Sequence, residues 1–383
     1  MRSCAETRIL AVRELLSLVI YQSAMALSTP LTLRYNPSGA LIDAAGRSMT
    51  GIEWLRAMME RRVPDPPIVR MTGLRYTDVG LGLSTMAMPA SPWWQTGAGV
   101  FFAGTLSFLA DGPLGGAVLT TAGAGTGMST SELSIDFLRP ATIRSGTLIG
   151  RGRLIHSTRS QGLSEVFIED SRGRMLAHGT SRCILFPVDA VSAPTPELGL
   201  DPVGPELHRL EVEGSWWGQE YWNSHSGPEV LRELLEREIT APLMTFAGLQ
   251  LSDFGEGTAT VELPASPWFS QAFGTIFGGT ITLLSEFTAT CACLSTIPPA
   301  TSFSPLDLKV NFLRPVVPDG SKLVARASVT HRGRSVAVVA GDVVNKDGKK
   351  VAIANETILI LPDRPWERPV YVVDEAQPWT DAG

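Results

Sequence analysis

Hydrophobic and polar positions divide this chain into short alternating runs and two segments that are apolar on nearly every side. The runs GLSTMAMPA (82–90) and GTATVELPA (257–265) alternate with a period of two, which predicts half-buried strands. Residues 279–294 place apolar side chains over most of a helical circumference, and the segment around Asp111 does the same. Because a helix that is apolar all round is buried, the pattern predicts two buried helices.

The second half of the chain repeats the first at a constant offset. The proline of one Ser-Pro-Trp motif is Pro92 and that of the other is Pro267, and 267 − 92 = 175. The same offset relates four further pairs: Asp111 and Glu286, the FLRP motifs at 137–140 and 312–315, His156 and His331, and Pro187 and Pro362. Residues 73–187 and 248–362 are therefore two copies of one unit.

Each copy predicts the same order of elements. A short helix (51–62 or 229–238) precedes a strand, a Pro-Trp loop, the apolar helix and a meander of four strands with turns such as SRG and KDG. An antiparallel sheet wrapped around one buried helix is an α+β layer fold. We therefore predict five parts: an N-terminal extension (1–45), a first domain (46–187), a Pro/Gly/Trp-rich linker (188–227), a second domain (228–363) and a C-terminal tail (364–383).

Composition narrows the class of protein. With 44% hydrophobic and 18% charged residues, the chain can fill real cores and is not expected to be disordered. A net charge of −6 without a basic stripe argues against nucleic acid as the main partner. The cysteines form no CxxC pair, which is typical of reduced thiols in the cytoplasm. They are Cys4, Cys183, Cys291 and Cys293, and we interpret the last two as packing residues on a helix.

An apolar run at residues 15–26 follows two arginines and ends on Ala-x-Ala, which weakly resembles a signal peptide. The run is short and two glutamates interrupt its basic flank. We therefore interpret residues 1–24 as a frayed extension or as preceding a native start at Met25. Nothing else approaches the ~20 apolar residues of a membrane span, so we expect none.

Each apolar helix carries one carboxylate, Asp111 or Glu286. A buried, unpaired carboxylate costs several kcal/mol or shifts its pKa upward, and two such acids at matched positions favour function over structure. A helix N-terminus with glycine amides is a ready oxyanion site, and a carboxylate can serve as base or nucleophile. Gly279 precedes Glu286 by seven residues, roughly 10 Å along the axis. In a pair of antiparallel helices, the N-terminus of each helix lies beside the acid of the other. The amides and the carboxylate can then reach the same carbonyl group.

The sequence resembles hotdog-fold acyl-CoA thioesterases of the PaaI and 4-hydroxybenzoyl-CoA thioesterase type. The family pattern is approximately N-x-x-G-x-x-H-G-G, followed by an acid on the helix and later an FLRP strand. The second copy matches it with Gln271, Gly274, Phe277, Gly278, Gly279 and Glu286, and the first with Thr96, Gly99, Phe102, Ala103, Gly104 and Asp111. The resemblance implies two hotdog domains in one chain, packed as an intramolecular pseudo-dimer. Both copies lack the asparagine and the histidine of the family.

The resemblance also implies two composite sites. One joins Asp111 to the amides of Gly278 and Gly279, to Gln271 and to Thr130, which stands where relatives place a water-orienting hydroxyl. The other joins Glu286 to Ala103, Gly104 and Thr96, and has Pro305 beside Ser304 at the hydroxyl position. The first site keeps more of the pattern, so we expect Asp111 to carry the chemistry.

The implied substrate is an acyl-CoA or an acyl-carrier-protein thioester, with no metal or redox cofactor. Its fatty or aryl group would lie along the two helices near Phe102 and Phe277. Arg159 and Arg334 would hold CoA phosphates, a solvated strand edge being the alternative. We interpret two residue pairs as structural: the arginines of the FLRP motifs, Arg139 and Arg314, and the histidines His156 and His331.

Two other functions stay open. The missing asparagine and histidine favour a non-catalytic acyl-thioester binding or scaffold protein. A hotdog hydratase or dehydratase would pair an acid with a nearby histidine, and the five histidines avoid both apolar helices. Whether double-hotdog chains associate further is also open.

Overall fold

The computed structural model describes residues 29–187, 197–362 and 364–365. The apolar run at 15–26, the candidate start at Met25 and Cys4 lie outside the described residues, as do residues 188–196 and most of the predicted tail.

Nine helices and twelve strands make up the described part of the chain. The helices are α1 (Leu31–Arg34), α2 (Ala44–Arg47), α3 (Gly51–Met59), α4 (Pro67–Thr72), α5 (Gly104–Leu119), α6 (Gln219–Ser224), α7 (Gly227–Glu236), α8 (Pro242–Ala247) and α9 (Gly278–Leu294). The strands of the first repeat are β1 (Arg75–Gly80), β2 (Leu83–Pro89), β3 (Thr126–Phe137), β4 (Thr147–Ser157), β5 (Gln161–Glu169) and β6 (Met175–Pro187). Those of the second are β7 (Gln250–Gly255), β8 (Thr258–Pro264), β9 (Ser302–Phe312), β10 (Lys322–Arg332), β11 (Val336–Val344) and β12 (Lys350–Leu361).

The strands form one antiparallel sheet in the order β1-β2-β4-β5-β6-β3-β9-β12-β11-β10-β8-β7. The two halves of this order are mirror copies, and strands β3 and β9 join them. Ser134 pairs with Lys309, its own equivalent at the 175 offset, so a pseudo-two-fold axis passes through this pair. Such an interface is self-complementary, as between the subunits of a symmetric dimer. The predicted α+β fold with two hotdog domains packed as a pseudo-dimer is confirmed.

Helices α5 and α9 are the cores of the two halves. All residues of α5 are buried, and in α9 only Gly278 is not. The two helices pack on each other, and the hydroxyls of Ser107 and Thr282, again equivalent residues, lie 3.0 Å apart. Helix α5 continues through Pro113. The free cysteines that the structure describes, Cys183, Cys291 and Cys293, are buried.

The repeat extends further towards the N-terminus than the sequence indicates. The Ile42 amide donates to Ala272 O at 2.8 Å, and the Trp217 amide donates to Gly97 O at 2.6 Å. Both donor and acceptor differ by 175 between these two bonds. The tryptophan-rich segment 214–226 therefore takes the place in the second repeat that residues 39–50 take in the first.

In each domain the short amphipathic helix after these segments begins against the end of a buried helix. The Gly51 amide donates to Ala122 O at 3.0 Å, and a methyl group on Gly51 would lie 1.9 Å from Leu119 O. Gly227 stands in the same relation to Leu294 O, at 1.7 Å. These glycines permit backbone contact that no side chain allows.

Replacing Gly51 by alanine is expected to lower the free energy of unfolding by about 1–3 kcal/mol, because the new methyl group pushes α3 off the carbonyl of Leu119. Thermal unfolding followed by circular dichroism measures this. Gly123→Ala is the matched control, since nothing lies within 4 Å of a methyl group there, and it is expected to change stability by less than ~0.5 kcal/mol. Equal melting temperatures for the two variants would contradict the close contact.

Candidate active site

Asp111 lies at the meeting point of the two domains. Its side chain is on α5 and is only 6% exposed. The Thr130 hydroxyl on β3 donates to Oδ1 at 2.9 Å, and the Gly279 amide at the start of α9 donates to Oδ2 at 3.0 Å. The structure therefore brings the acid of one repeat to the helix N-terminus of the other.

Burial raises the pKa of Asp111 to about 6. The Thr130 hydroxyl and the nearby amides of Gly279 and Gly278 lower the pKa, because each favours the charged form. The carboxylate is thus ionised near neutral pH and is still basic enough to accept a proton. This is the range in which a carboxylate works as a general base.

A cavity of about 160 Å³ extends from Asp111 along the C-terminal half of α5. Its polar wall includes Thr130, Gln271 and Gly278. The apolar walls come from α3, β2, β3, α9 and the loop before α9, and they include Trp54, Leu55, Met58, Met86, Met128, Ile276, Phe277 and Ile281. An engineered apolar cavity of similar size in another protein binds benzene. The cavity therefore has the size and chemistry for a single ring or a short aliphatic chain.

The glycine amides at the start of α9 have different surroundings. The Gly279 amide is bonded to the acid, whereas Gly278 lines the cavity and also faces the Asp111 carboxylate. The Phe277 ring lines the cavity and packs on Phe108, with ring centroids 5.1 Å apart. It fills space where the family pattern has a polar side chain.

Gln271 is in the cavity wall, but its amide is engaged within its own loop. Its Nε2 donates to the Thr275 hydroxyl at 2.8 Å, and its Oε1 accepts from the Phe273 amide at 2.8 Å. In the first repeat the Thr96 hydroxyl likewise accepts from the Ala98 amide in its own loop, at 3.2 Å. Neither side chain reaches a carboxylate in this structure.

Glu286 occupies the second composite position but in a tighter setting, with 1% of its surface exposed. The Thr290 hydroxyl, one turn further along α9, donates to Oε1 at 3.0 Å. The amides of Gly104 and Ala103 face Oε2, but no hydrogen bond of normal geometry forms there. Burial raises the pKa of Glu286 to about 7.

The hydroxyl position of this second site holds no donor. Pro305 stands there, and the exposed Ser304 hydroxyl donates to the Pro305 carbonyl at 3.4 Å. A further acid, Glu356 on β12, is 1% exposed, and neither of its carboxylate oxygens forms a hydrogen bond with the described residues. Burial, and then the charges of Glu286 and Asp307, raise the pKa of Glu356 well above its usual range.

The space beside the two acids differs because the helices differ. Three glycines of α5 line the cavity next to Asp111: Gly112, Gly115 and Gly116. Their equivalents in α9 are Phe287, Thr290 and Cys291. The Phe287 ring is buried against Phe102, with centroids 5.0 Å apart. The volume that is open beside Asp111 is therefore filled by side chains beside Glu286.

The aromatic segment before α7 covers the loop beside the second site. A methyl group on Gly97 would lie 1.9 Å from the ring of Trp217, so the indole rests directly on this backbone. The Trp217 ring packs in turn on Tyr221, with centroids 5.8 Å apart. Ile42 occupies the equivalent position over the first site.

The arginines are distributed differently from the expectation. Arg159 and Arg334 are exposed turn residues that do not line the cavity. Arg314 does line it, is exposed, and donates to the Lys350 carbonyl. Arg139 makes the equivalent bond in the first repeat, to Met175 O at 2.7 Å.

Sequence reasoning missed the distal wall of the cavity, including Trp54, Met58, Tyr76, Met86 and Met128. In the sequence these residues follow ordinary amphipathic patterns, and such patterns are the same for residues that line a cavity and for residues that pack in a filled core. Within the described residues, no group of three or more His, Cys, Asp or Glu side chains could hold a metal ion. None of the described helices combines the length and the apolar character needed to cross a membrane.

Comparison with known proteins finds similarity to one family. The model of the thioesterase superfamily matches residues 98–177 and 273–352, two segments related by the same offset of 175. A Haemophilus influenzae protein named as an esterase is 27% identical over 140 residues, covering 37% of this chain and 97% of its own length.

Two solved structures are similar over most of the chain. The tesB protein of Mycobacterium avium subsp. paratuberculosis is 15% identical and covers 81% of this chain and 100% of its own, with a TM-score of 0.49. The acyl-CoA thioesterase II TesB2 of Mycobacterium marinum is 12% identical, covering 79% and 98%, with a TM-score of 0.47. Because similarities at these scores do not by themselves establish a fold, the assignment rests on the family model and on the architecture described above. Both repeats, each a sheet wrapped around a buried helix, therefore match the model of the thioesterase superfamily, and the chain is a tandem hotdog protein of the thioester hydrolase type.

Proposed function

We propose that this protein hydrolyses acyl-CoA thioesters at one working site, with Asp111 as the general base. The observation that carries the proposal is the position of Asp111. This buried carboxylate has a pKa of about 6 and lies where an apolar cavity meets the N-terminus of the helix from the other domain. A base with this pKa, next to amide donors in a water-poor site, suits attack on a carbonyl.

The reaction proceeds by addition of water and elimination of the thiol. Asp111 accepts a proton as the water oxygen bonds to the thioester carbon, and the carbonyl electron pair moves onto oxygen. The Gly278 amide, which lines the cavity, donates to this oxyanion. When the intermediate collapses, the C–S bond breaks, and the proton passes from Asp111 to the leaving thiolate. The products are the free acid and CoA.

Two other groups position the base. Thr130 and the Gly279 amide hold one carboxylate oxygen each, which fixes the plane of the carboxyl group. Because both donate to the charged form, they also keep the pKa of Asp111 from rising further. Gln271 forms part of the wall next to the reacting carbonyl, and its role in this proposal is to contact substrate rather than the acid.

The acyl group occupies the apolar cavity, and the CoA moiety stays at the surface. Arg314 lines the cavity and is exposed to solvent, where a cation suits a phosphate. This makes Arg314 a better candidate for the CoA phosphates than Arg159 or Arg334, which are exposed turn residues outside the cavity wall. An acyl-carrier-protein thioester would present the same acyl group to the same cavity.

The Glu286 site is proposed to be silent. Its acid is more deeply buried than Asp111, Phe287 fills the adjacent space, and Trp217 covers the neighbouring loop. A substrate carbonyl would have to displace packed aromatic rings to reach Glu286.

A non-catalytic acyl-thioester binding protein is the second candidate. The observation that favours it is Phe277, an apolar ring in the cavity wall where the family pattern has histidine. Turnover separates the two functions, because a binding protein retains acyl-CoA without releasing thiol.

Asp111→Asn is expected to lower kcat/KM for acyl-CoA hydrolysis by about 10²- to 10⁴-fold, because the amide cannot accept the proton from water. Glu286→Gln is the matched control and is expected to stay within ~3-fold of wild type. Release of free CoA thiol from short, long and aromatic acyl-CoAs measures both. A loss of activity confined to Glu286→Gln would mean that the Glu286 site carries out the hydrolysis. Wild-type protein that binds acyl-CoA without releasing thiol would support the non-catalytic binding protein instead.

The pH dependence of kcat/KM should report the ionisation of Asp111. Activity is expected to rise with pH, with a midpoint near the pKa of about 6, and to level off above it, because only the carboxylate accepts a proton. Thr130→Val should move this midpoint to higher pH, since it removes a hydrogen bond that favours the charged form. Thr130→Ser keeps the hydroxyl and should leave the midpoint in place. A profile that is flat from pH 5 to pH 8 would exclude Asp111 as the titrating base.

A further inference from the structure

One polar group stands in the distal wall of the cavity, away from the reacting carboxylate. Tyr76 is on β1, pairs with Met86 of β2 and lines the cavity. A methyl group placed on Gly116 would lie 3.0 Å from the Tyr76 hydroxyl oxygen, which puts the hydroxyl beside the glycine face of α5. The distal part of the cavity is therefore not wholly apolar.

The Tyr76 hydroxyl has no hydrogen-bond partner among the described residues. Ser84, which also lies beside Gly116, donates its own hydroxyl to Pro113 O at 2.7 Å. Burial, and then the charge of Asp111, raise the pKa of Tyr76, so its phenol keeps its proton and is a donor. Tyr76 is partly buried, and a phenol that lines a cavity without a protein partner is free to donate to a ligand oxygen there.

The position of this hydroxyl relative to Asp111 indicates how long an acyl chain must be to reach it. Gly116 follows Asp111 by five residues on the same helix, which corresponds to a rise of roughly 7.5 Å. An extended acyl chain covers this distance in about six bonds from the thioester carbon. A group held at Tyr76 would thus be at the far end of a chain that fits the cavity.

The second repeat does not keep this feature. The equivalents of Tyr76 and Ser84 are Leu251 and Ala259, both buried and apolar. The hydroxyl is therefore particular to the cavity beside Asp111 and is not part of the scaffold that both repeats share.

We propose that Tyr76 determines specificity by donating a hydrogen bond to an oxygen at the far end of the acyl group. The preferred substrates are thioesters of acyl chains that end in a hydroxyl or carbonyl oxygen about six bonds from the thioester carbon. This inference rests on the proposed hydrolysis at Asp111. A site built to bond a substrate oxygen discriminates strongly against the analogue that lacks it, because its own polar group is then left unpaired.

The test compares two CoA thioesters of equal length, 6-hydroxyhexanoyl-CoA and heptanoyl-CoA. They differ by a hydroxyl in place of a terminal methyl group. Wild type is expected to hydrolyse the hydroxylated substrate with a kcat/KM about tenfold higher or more. Tyr76→Phe, which keeps the ring and the packing, should bring the ratio of the two kcat/KM values close to one. Tyr35→Phe, at a surface tyrosine that is 38% exposed, is the control and should keep the preference.

The outcomes separate this inference from the proposed function. Hydrolysis of both thioesters by wild type with no preference, or with a preference that Tyr76→Phe retains, overturns the role of Tyr76 and leaves the hydrolase in place. A wild-type protein that hydrolyses neither these nor other acyl-CoAs overturns the proposed function, and this inference with it. The wild-type ratio alone tests the preference, so the result does not depend on the folding of a variant.

Discussion

The structure depends on how one carboxylate is buried between two domains. Asp111 is buried in the core of its own domain, and it accepts hydrogen bonds both from Thr130 of that domain and from the Gly279 amide at the start of α9 in the other. A carboxylate at a helix N-terminus is stabilised by the free amides and by the helix dipole. Because the donor and the acid belong to different repeats, the site exists only when the two helices pack antiparallel. The continuous sheet through β3 and β9, with its axis at Ser134 and Lys309, holds that packing.

Duplication in one chain allowed the two composite sites to diverge. In a homodimer each substitution would appear in both sites, whereas here each domain carries its own. The glycine face of α5 opens a cavity beside Asp111, and the corresponding face of α9 carries Phe287 and other side chains that fill it. The aromatic segment at Trp217 packs on the loop at Gly97 beside the second site. At the equivalent position beside the first site, the residue is Ile42, whose amide donates to Ala272 O. The Glu286 half serves the proposed function mainly by supplying the N-terminus of α9 and part of the cavity wall.

The cavity wall determines what the site accepts. Three methionines in the wall, Met58, Met86 and Met128, are flexible and adapt to different apolar groups. In the proposed function, the Tyr76 hydroxyl would add a directional contact, and the Asp111 carboxylate would mark the end at which the carbonyl lies. A substrate would then be fixed at two points separated by the length of its acyl chain, with adaptable apolar packing between them.

The fold and the central acid could be predicted from the sequence because they rest on local, repeated patterns. The constant offset defined two copies, the uniformly apolar helices had to be buried, and one carboxylate on each had to find an unusual environment. The pairing of Asp111 with Thr130 and Gly279 followed from the same reasoning combined with a family resemblance. Gln271, Arg159 and the open volume were decided only by tertiary structure. Whether a side chain bonds its own loop, lies on the surface or borders an empty space depends on neighbours that are distant in sequence, and alternation along a strand is the same for a cavity wall as for a filled core.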